Sequence, residues 1–181
     1  AVDRSGVSFD GQLYIYDEIK EDLKKLTDAL HAEGCKASIQ LGHCGNMTHI
    51  STAGQIPIGA SSGFNLYSPT IVRGMNKREI ISVAKDFGKA VNLAREAGFD
   101  AVEIHAGHGY LISQFLSPYT NHRKDEYGGS LENRMRFMRM CVSKAVAAGK
   151  GKVALFAKLN TRDGFKGGQE TDELIEVAKV L

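Results

Sequence analysis

The sequence is short of the features that mark several large functional classes. No stretch approaches 18 consecutive apolar residues, so no membrane-spanning helix is expected. No run of five Lys or Arg occurs and the net charge is only +2, which argues against a nucleic-acid surface. The N-terminal Ala-Val-Asp-Arg-Ser-Gly lacks the apolar core of a secretion signal. Cysteines are few, odd in number and scattered (Cys35, Cys44, Cys141), which fits a reducing compartment better than a disulfide scaffold. A cytoplasmic protein is therefore expected. Gly-x-Gly-x-x-Gly after a strand, Gly-x4-Gly-Lys-Ser/Thr and Gly-x-Ser-x-Gly are all missing. The usual signs of a Rossmann site, a P-loop and a serine hydrolase are missing with them.

What is present is a 181-residue chain, 43% hydrophobic and 24% charged, long enough for one domain with a real core. Apolar residues Ile19, Leu23, Leu26, Ala29 and Leu30 predict an amphipathic helix over 17–33, with Asp17 as N-cap and Gly34 as stop. A short strand is predicted over 36–41. Residues 46–76, rich in Ser, Thr, Gly and Asn, show no period and read as a long loop. A helix follows from Asn76 or Lys77 to Ala97, with Ile80, Ile81, Ala84, Phe87, Val91 and Ala94 facing inward. Next come a strand over 100–105, a short helix over 109–115, and a helix over 131–148 capped by Ser130. A strand over 152–159 and a helix over 171–181 complete the order. Strict alternation of strands and helices predicts an α/β protein with a parallel sheet. Three strands are too few for a full eight-stranded barrel of about 250 residues. The alternatives are a small open layer or roughly half of a (β/α)8 TIM barrel. The missing initiator Met and the helical pattern at the C-terminus suggest an internal piece of a longer chain.

The chemistry gathers at the end of the 100–105 strand, the end where parallel α/β folds place their sites. His105, His108 and Tyr110 lie within six residues there. The two histidines read as a donor pair that polarises a carbonyl or anionic oxygen, as metal ligands completed by Glu103 or Cys44, or as a rim hydrogen-bond network. Alternation puts Glu103 on the face of His105. Tyr110 is either a proton donor or an aromatic packed beneath the rim. Gln40 ends the earlier strand; its amide suits a heterocycle edge, or simply faces water. Cys44 is a candidate reactive thiol, although nothing in the sequence shows a lowered pKa. Lys158 interrupts an apolar strand, where it either balances an anionic cofactor or snorkels to the rim. The charged stretch Arg123, Asp125, Glu126, Glu132, Arg134 and Arg136 reads as ion pairs that fix a loop.

Two stretches together resemble the old yellow enzyme family of NADH:flavin oxidoreductases. One is His105-Ala-Gly-His108-Gly-Tyr110-Leu-Ile-Ser-Gln-Phe-Leu-Ser-Pro, continued by Asn121-His-Arg-Lys-Asp-Glu-Tyr-Gly-Gly-Ser-Leu-Glu-Asn-Arg-Met-Arg-Phe. The other is Gln40-Leu-Gly-His-Cys-Gly on the earlier strand. The resemblance covers the chain from about Asp17 to the end. It implies an FMN-dependent (β/α)8 barrel that reduces activated C=C bonds with NAD(P)H, with residues 1–181 as one segment lacking the first and last strands. By the same resemblance Gln40 holds the flavin pyrimidine edge and His105 and His108 hold the substrate carbonyl. Tyr110 protonates the α-carbon, and Lys158 takes the place of a cation near flavin N1 and O2. Asn46 stands where many members have Arg, so the turn after Gln40 is expected to be wired differently. Lys for Arg at 158 keeps the charge but loses the bidentate fork. The expected partners are small activated alkenes and, in the full protein, a second copy of the chain. Two rivals stand beside this reading: an isolated half-barrel that binds no flavin, and a metal-dependent hydrolase using His105 and His108.

Overall fold

A computed structural model describes residues 1–181. A 3-10 turn over Asp17–Ile19 leads into α1 (Lys20–Ala32). Asp17 does not cap it; the tight turn occupies that place, and Ile19 stands at the helix start without a side-chain cap. Gly34, at φ 75°, ends the helix as expected. Then come β1 (Ser38–Leu41), a single helical turn α2 (Ile50–Ala53), and the short strands β2 (Ile58–Gly59), β3 (Gly63–Asn65) and β4 (Thr70–Gly74). The chain continues through α3 (Lys77–Glu96), β5 (Ala101–His105), α4 (Leu111–Leu116), α5 (Leu131–Gly149), β6 (Ala154–Lys158) and α6 (Thr171–Lys179).

The main sheet is parallel with order β1-β5-β6. Its register puts Gln40 opposite Glu103 and Glu103 opposite Phe156, and pairs His105 with Lys158. Alternation then sorts the side chains. Val102 and Ile104 are buried on the helix-covered face. There they join Ile80, Phe87 and Val91 of α3 and Phe137, Met138 and Cys141 of α5 in one core. Ser38, Gln40, Glu103, His105, Phe156 and Lys158 share the opposite face. In a barrel this second face looks along the axis, and Phe156 is 56% exposed on it. Helices on one face, and a parallel sheet whose other face carries Gln, Glu, His and Lys, make a partial (β/α)8 barrel.

α3 begins as its sequence dictates. Asn76 accepts the N–H of Glu79, and the Glu79 carboxylate returns a bond to the Asn76 N–H at 2.8 Å, a complete capping box. Ser130 likewise caps α5 by accepting the N–H of Asn133. Some apolar positions do not face inward. Ile81 on α3 is 41% exposed and Leu26 on α1 is 51% exposed. Only Leu23 and Thr27 of α1 are buried, so its apolar stripe is covered along one edge.

The largest departure from the sequence reading lies at 46–76. This segment is not a structureless loop. It carries α2 and a second sheet, in which β4 pairs parallel with β2 and antiparallel with β3. Arg123 fastens that sheet to the barrel: one guanidinium nitrogen donates to the carbonyls of Ala60 (2.9 Å) and Met75 (2.6 Å). The other two nitrogens grip Asp125 at 2.9 and 2.6 Å, while the guanidinium lies over Phe115 and Tyr127. The charged stretch is thus structural, as its sequence suggested.

Candidate active site

β5 ends at His105, and the chain turns sharply through Gly107-His108-Gly109 before α4. His108 (φ 56°) and Gly109 (φ 71°) both occupy the left-handed region. For a histidine this is uncommon backbone and has to be held. Asn160, just past β6, accepts the His108 backbone N–H at 2.8 Å. Gly107 is required beside it: a Cβ there would sit 2.8 Å from the Asn160 side-chain oxygen. Asp163 holds the same loop by accepting the Ser117 hydroxyl and the Gln169 N–H, each at 2.6 Å.

The turn gathers three rings. His105 and His108 meet edge to face, with centroids 5.0 Å apart, and Tyr110 lies 4.8 Å from His105. His105 is 7% exposed, whereas His108 is exposed and Tyr110 half-buried. The Gly107 N–H points at Nδ1 of His105 at 3.3 Å, which leaves Nε2–H as that ring's donor. Burial, then the neighbouring His108 and Lys158 charges, push the His105 pKa down to about 4. His105 is therefore a neutral donor at physiological pH. The Tyr110 hydroxyl donates to Ser8 Oγ at 3.4 Å.

On the flanking strands, Gln40 and Lys158 are both exposed on the axis face. Lys158 is thus not buried in an apolar strand; the alternation that pairs it with His105 also delivers it to solvent. Gln40 donates through its side-chain nitrogen to Glu103 in the adjacent register position. A carboxylate only accepts at neutral pH, so this contact fixes which end of the Gln40 amide points away from Glu103. A buried carboxamide, Gln114 on α4, links the two site turns. It donates to the carbonyls of Cys44 (3.0 Å) and Gly109 (2.6 Å) and accepts the Asn46 N–H (3.2 Å). Asn46 is further held by Asn65, which donates to its carbonyl at 2.7 Å. A cavity of about 980 Å³ opens between the small sheet and this rim, lined by Asn46, Asn65, Tyr67, His108, Tyr119 and Arg162 among others.

Cys44 plays neither of the roles its sequence position left open. It is 1% exposed, its thiol donates to the Val7 carbonyl at 3.1 Å, and burial pushes its pKa up to about 12. The metal-ligand reading loses its geometry too, because no three His, Cys, Asp or Glu side chains come together in the chain. His43 is also internal. Its Nδ1 accepts the Gly45 N–H at 2.9 Å and its other nitrogen meets Ser5 Oγ at 3.1 Å, with burial pushing its pKa down. Gln114 lies within the quoted 105–118 stretch, but nothing in the sequence shows its bonds to the two turns; Ser8 and Asn160 lie outside both stretches. Ser8 lies 102 residues from Tyr110, so no spacing rule reaches it.

The sequence model of the NADH:flavin oxidoreductase / NADH oxidase family matches residues 1–181. The chain belongs to this family. Its sequence is 39% identical over 180 residues to an NADPH dehydrogenase of Bacillus subtilis (strain 168), covering 99% of this chain and 52% of the relative. A 4,4'-dithiodibutanoate disulfide reductase of Rhodococcus erythropolis is 36% identical over 159 residues, covering 88% of this chain and 40% of that protein. In structure it is similar to a 2-naphthoyl-CoA reductase (TM-score 0.92, 31% identity, 98% of this chain and 29% of that one). It is similar as well to the old yellow enzyme homologue of Zymomonas mobilis (TM-score 0.87, 30% identity, 99% and 54%). The chain spans about half the length of the curated relatives it matches.

Proposed function

We propose that the protein is an FMN-dependent oxidoreductase that reduces activated C=C bonds at the expense of NAD(P)H, with residues 1–181 as the segment of the barrel that carries its acid–base residues. The observation that carries this reading is the clustering of His108 and Tyr110 around His105, at ring-centroid distances of 5.0 and 4.8 Å, at the C-terminal end of β5, flanked by Gln40 and Lys158 on β1 and β6. Relatives named NADPH dehydrogenase and 2-naphthoyl-CoA reductase support a nicotinamide-driven reduction.

The residues present fit the cofactor. An amide whose oxygen is left free by the Glu103 contact and an ammonium, both exposed on the axis face, offer an acceptor and a cation that suit a flavin pyrimidine edge. Gln40 would hydrogen-bond that edge, its orientation held by Glu103. Lys158 would balance the negative charge gathered there. When bound, FMN would supply the hydride-transfer chemistry between NAD(P)H and the alkene. His105 and His108 donate to the substrate's carbonyl oxygen. Because His105 is neutral, its donor strength does not vary around neutral pH. Polarising the carbonyl makes the β-carbon electrophilic and stabilises the oxygen as charge develops on it. Tyr110 then gives its hydroxyl proton to the α-carbon.

FMN titration of the apo-protein at its full natural length tests the cofactor assignment. Gln40→Ala and Lys158→Met should each weaken FMN binding about tenfold, the loss expected for one charge-assisted or well-placed hydrogen bond. Affinity unchanged in both variants would overturn the assignment.

A further inference from the structure

We propose that Ser8 is the residue that passes a proton to Tyr110 as Tyr110 gives its own to the substrate. The inference rests on Tyr110 being the acid proposed above, and it concerns a residue outside both family motifs.

Tyr110 makes one side-chain hydrogen bond, to Ser8 Oγ at 3.4 Å. The contact is long, as catalytic hydrogen bonds often are before substrate tightens them. Ser8 is itself placed. Its hydroxyl donates to Gln12 Oε1 at 3.1 Å, and its backbone N–H donates to the same oxygen at 2.6 Å. The double contact matters. If the Ser8 hydroxyl turns away from Gln12, the amide oxygen keeps the shorter bond from the backbone, so no acceptor is left bare. The hydroxyl is thus a rotor with two satisfied positions. In one it accepts from Tyr110 and donates to Gln12. In the other it donates to Tyr110. Ser8 is half-buried, with exposed Phe9 and Asp10 following it, so solvent water is within its reach.

The proton balance follows. Tyr110 Oη–H breaks as its proton bonds to the substrate α-carbon, and the electron pair stays on Oη. In the same step Ser8, turned to its second position, gives its hydroxyl proton to Oη. A water proton bonds to Ser8 Oγ, and hydroxide leaves to bulk solvent. Nothing is oxidised or reduced in this relay.

The test uses the FMN-loaded protein at full natural length, with both half-reactions followed by stopped-flow absorbance. Reduction of the bound flavin by NADPH needs no proton from Tyr110 and serves as the control for an intact site. Ser8→Ala should slow reoxidation by an enone about tenfold and leave flavin reduction unchanged. Ser8→Thr, which restores the hydroxyl, should recover the rate. The dependence of the reoxidation rate on deuterium content should be curved in the unmodified protein, with two protons moving, and linear in Ser8→Ala. Tyr110→Phe separates the two claims. If Tyr110→Phe slows reoxidation while Ser8→Ala does not, the relay is overturned and Tyr110 stands. If Tyr110→Phe has no effect, the acid assignment falls and the relay with it. If Ser8→Ala slows both half-reactions and threonine does not rescue it, Ser8 is a packing residue and the relay is overturned.

Discussion

The side-chain oxygen of Asn160 accepts the backbone N–H of His108 at 2.8 Å, tying the turn after β5 to the loop after β6. That bond holds a histidine in left-handed backbone at φ 56°. Such conformations cost roughly 1–3 kcal/mol and persist only where the surroundings enforce them. Asn160→Ala should let His108 relax and weaken binding of a carbonyl or phenol ligand about tenfold, with smaller loss of global stability. Ligand titration and urea unfolding on the same variant separate the two effects.

Gly45 is a second enforced position. It has φ 62°, and a Cβ there would overlap the Gln114 carboxamide. Gly45→Ala therefore meets both backbone strain and a clash with a buried group. A loss of about 2–4 kcal/mol is expected, since left-handed strain and overpacking each cost on the order of 1–3 kcal/mol. The denaturant midpoint should fall without a change in slope.

Two arginines on α5 should respond very differently to removal. Arg134 is 4% exposed; it donates to the carbonyls of Leu116 and Gly129 and pairs with Glu173 of α6 at 2.5 Å. Arg134→Met strands those acceptors and should cost about 3–5 kcal/mol. Arg139 pairs with Glu132 at 2.7 Å, but both side chains are at least half exposed. Arg139→Met should cost less than about 1 kcal/mol. Equal effects in a thermal unfolding comparison would contradict this division.

His105 makes a pH prediction with a definite sign. Its pKa falls from an ordinary 6.5 to about 4, first through burial and then through the charges of His108 and Lys158. The unfolded chain therefore takes up this proton at higher pH than the folded one. The stability that His105 contributes is fully present above pH 6.5 and is lost as pH falls through about 4. Unfolding measured at pH 7 and pH 4.5 should show a smaller drop for His105→Gln than for the unmodified protein. The His105 ring signals should not titrate between pH 6 and pH 8 in a nitrogen-detected NMR series.

The sequence revealed what is periodic or contiguous. α3 was legible because Ile80, Ala84, Phe87, Val91 and Ala94 repeat at helical spacing and Asn76 with Glu79 announces its start. β5 and the residues after it were legible because the chemistry lies within six residues. β2, β3 and β4 were not, because they are two to five residues long, carry Gly, Thr and Asn, and gain their order by pairing with each other and through contacts such as those of Arg123. Asp17 looked like a cap because it precedes the apolar repeat, yet a 3-10 turn was inserted there. Cys44 read as a candidate thiol close to Gln40, but the segment around Val7 folds over it. Ser8 reaches Tyr110 across 102 residues and Gln114 reaches Cys44 across 70, so only the folded chain makes these two links.

The most direct test of the central claim is anaerobic addition of NADPH, then of an enone, to the protein purified at full natural length with FMN. The account predicts a bound-flavin absorbance that NADPH bleaches and the enone restores, with restoration much slower in Tyr110→Phe and bleaching unaffected. A protein that holds no flavin, or a bleached flavin that the enone does not reoxidise, would contradict it.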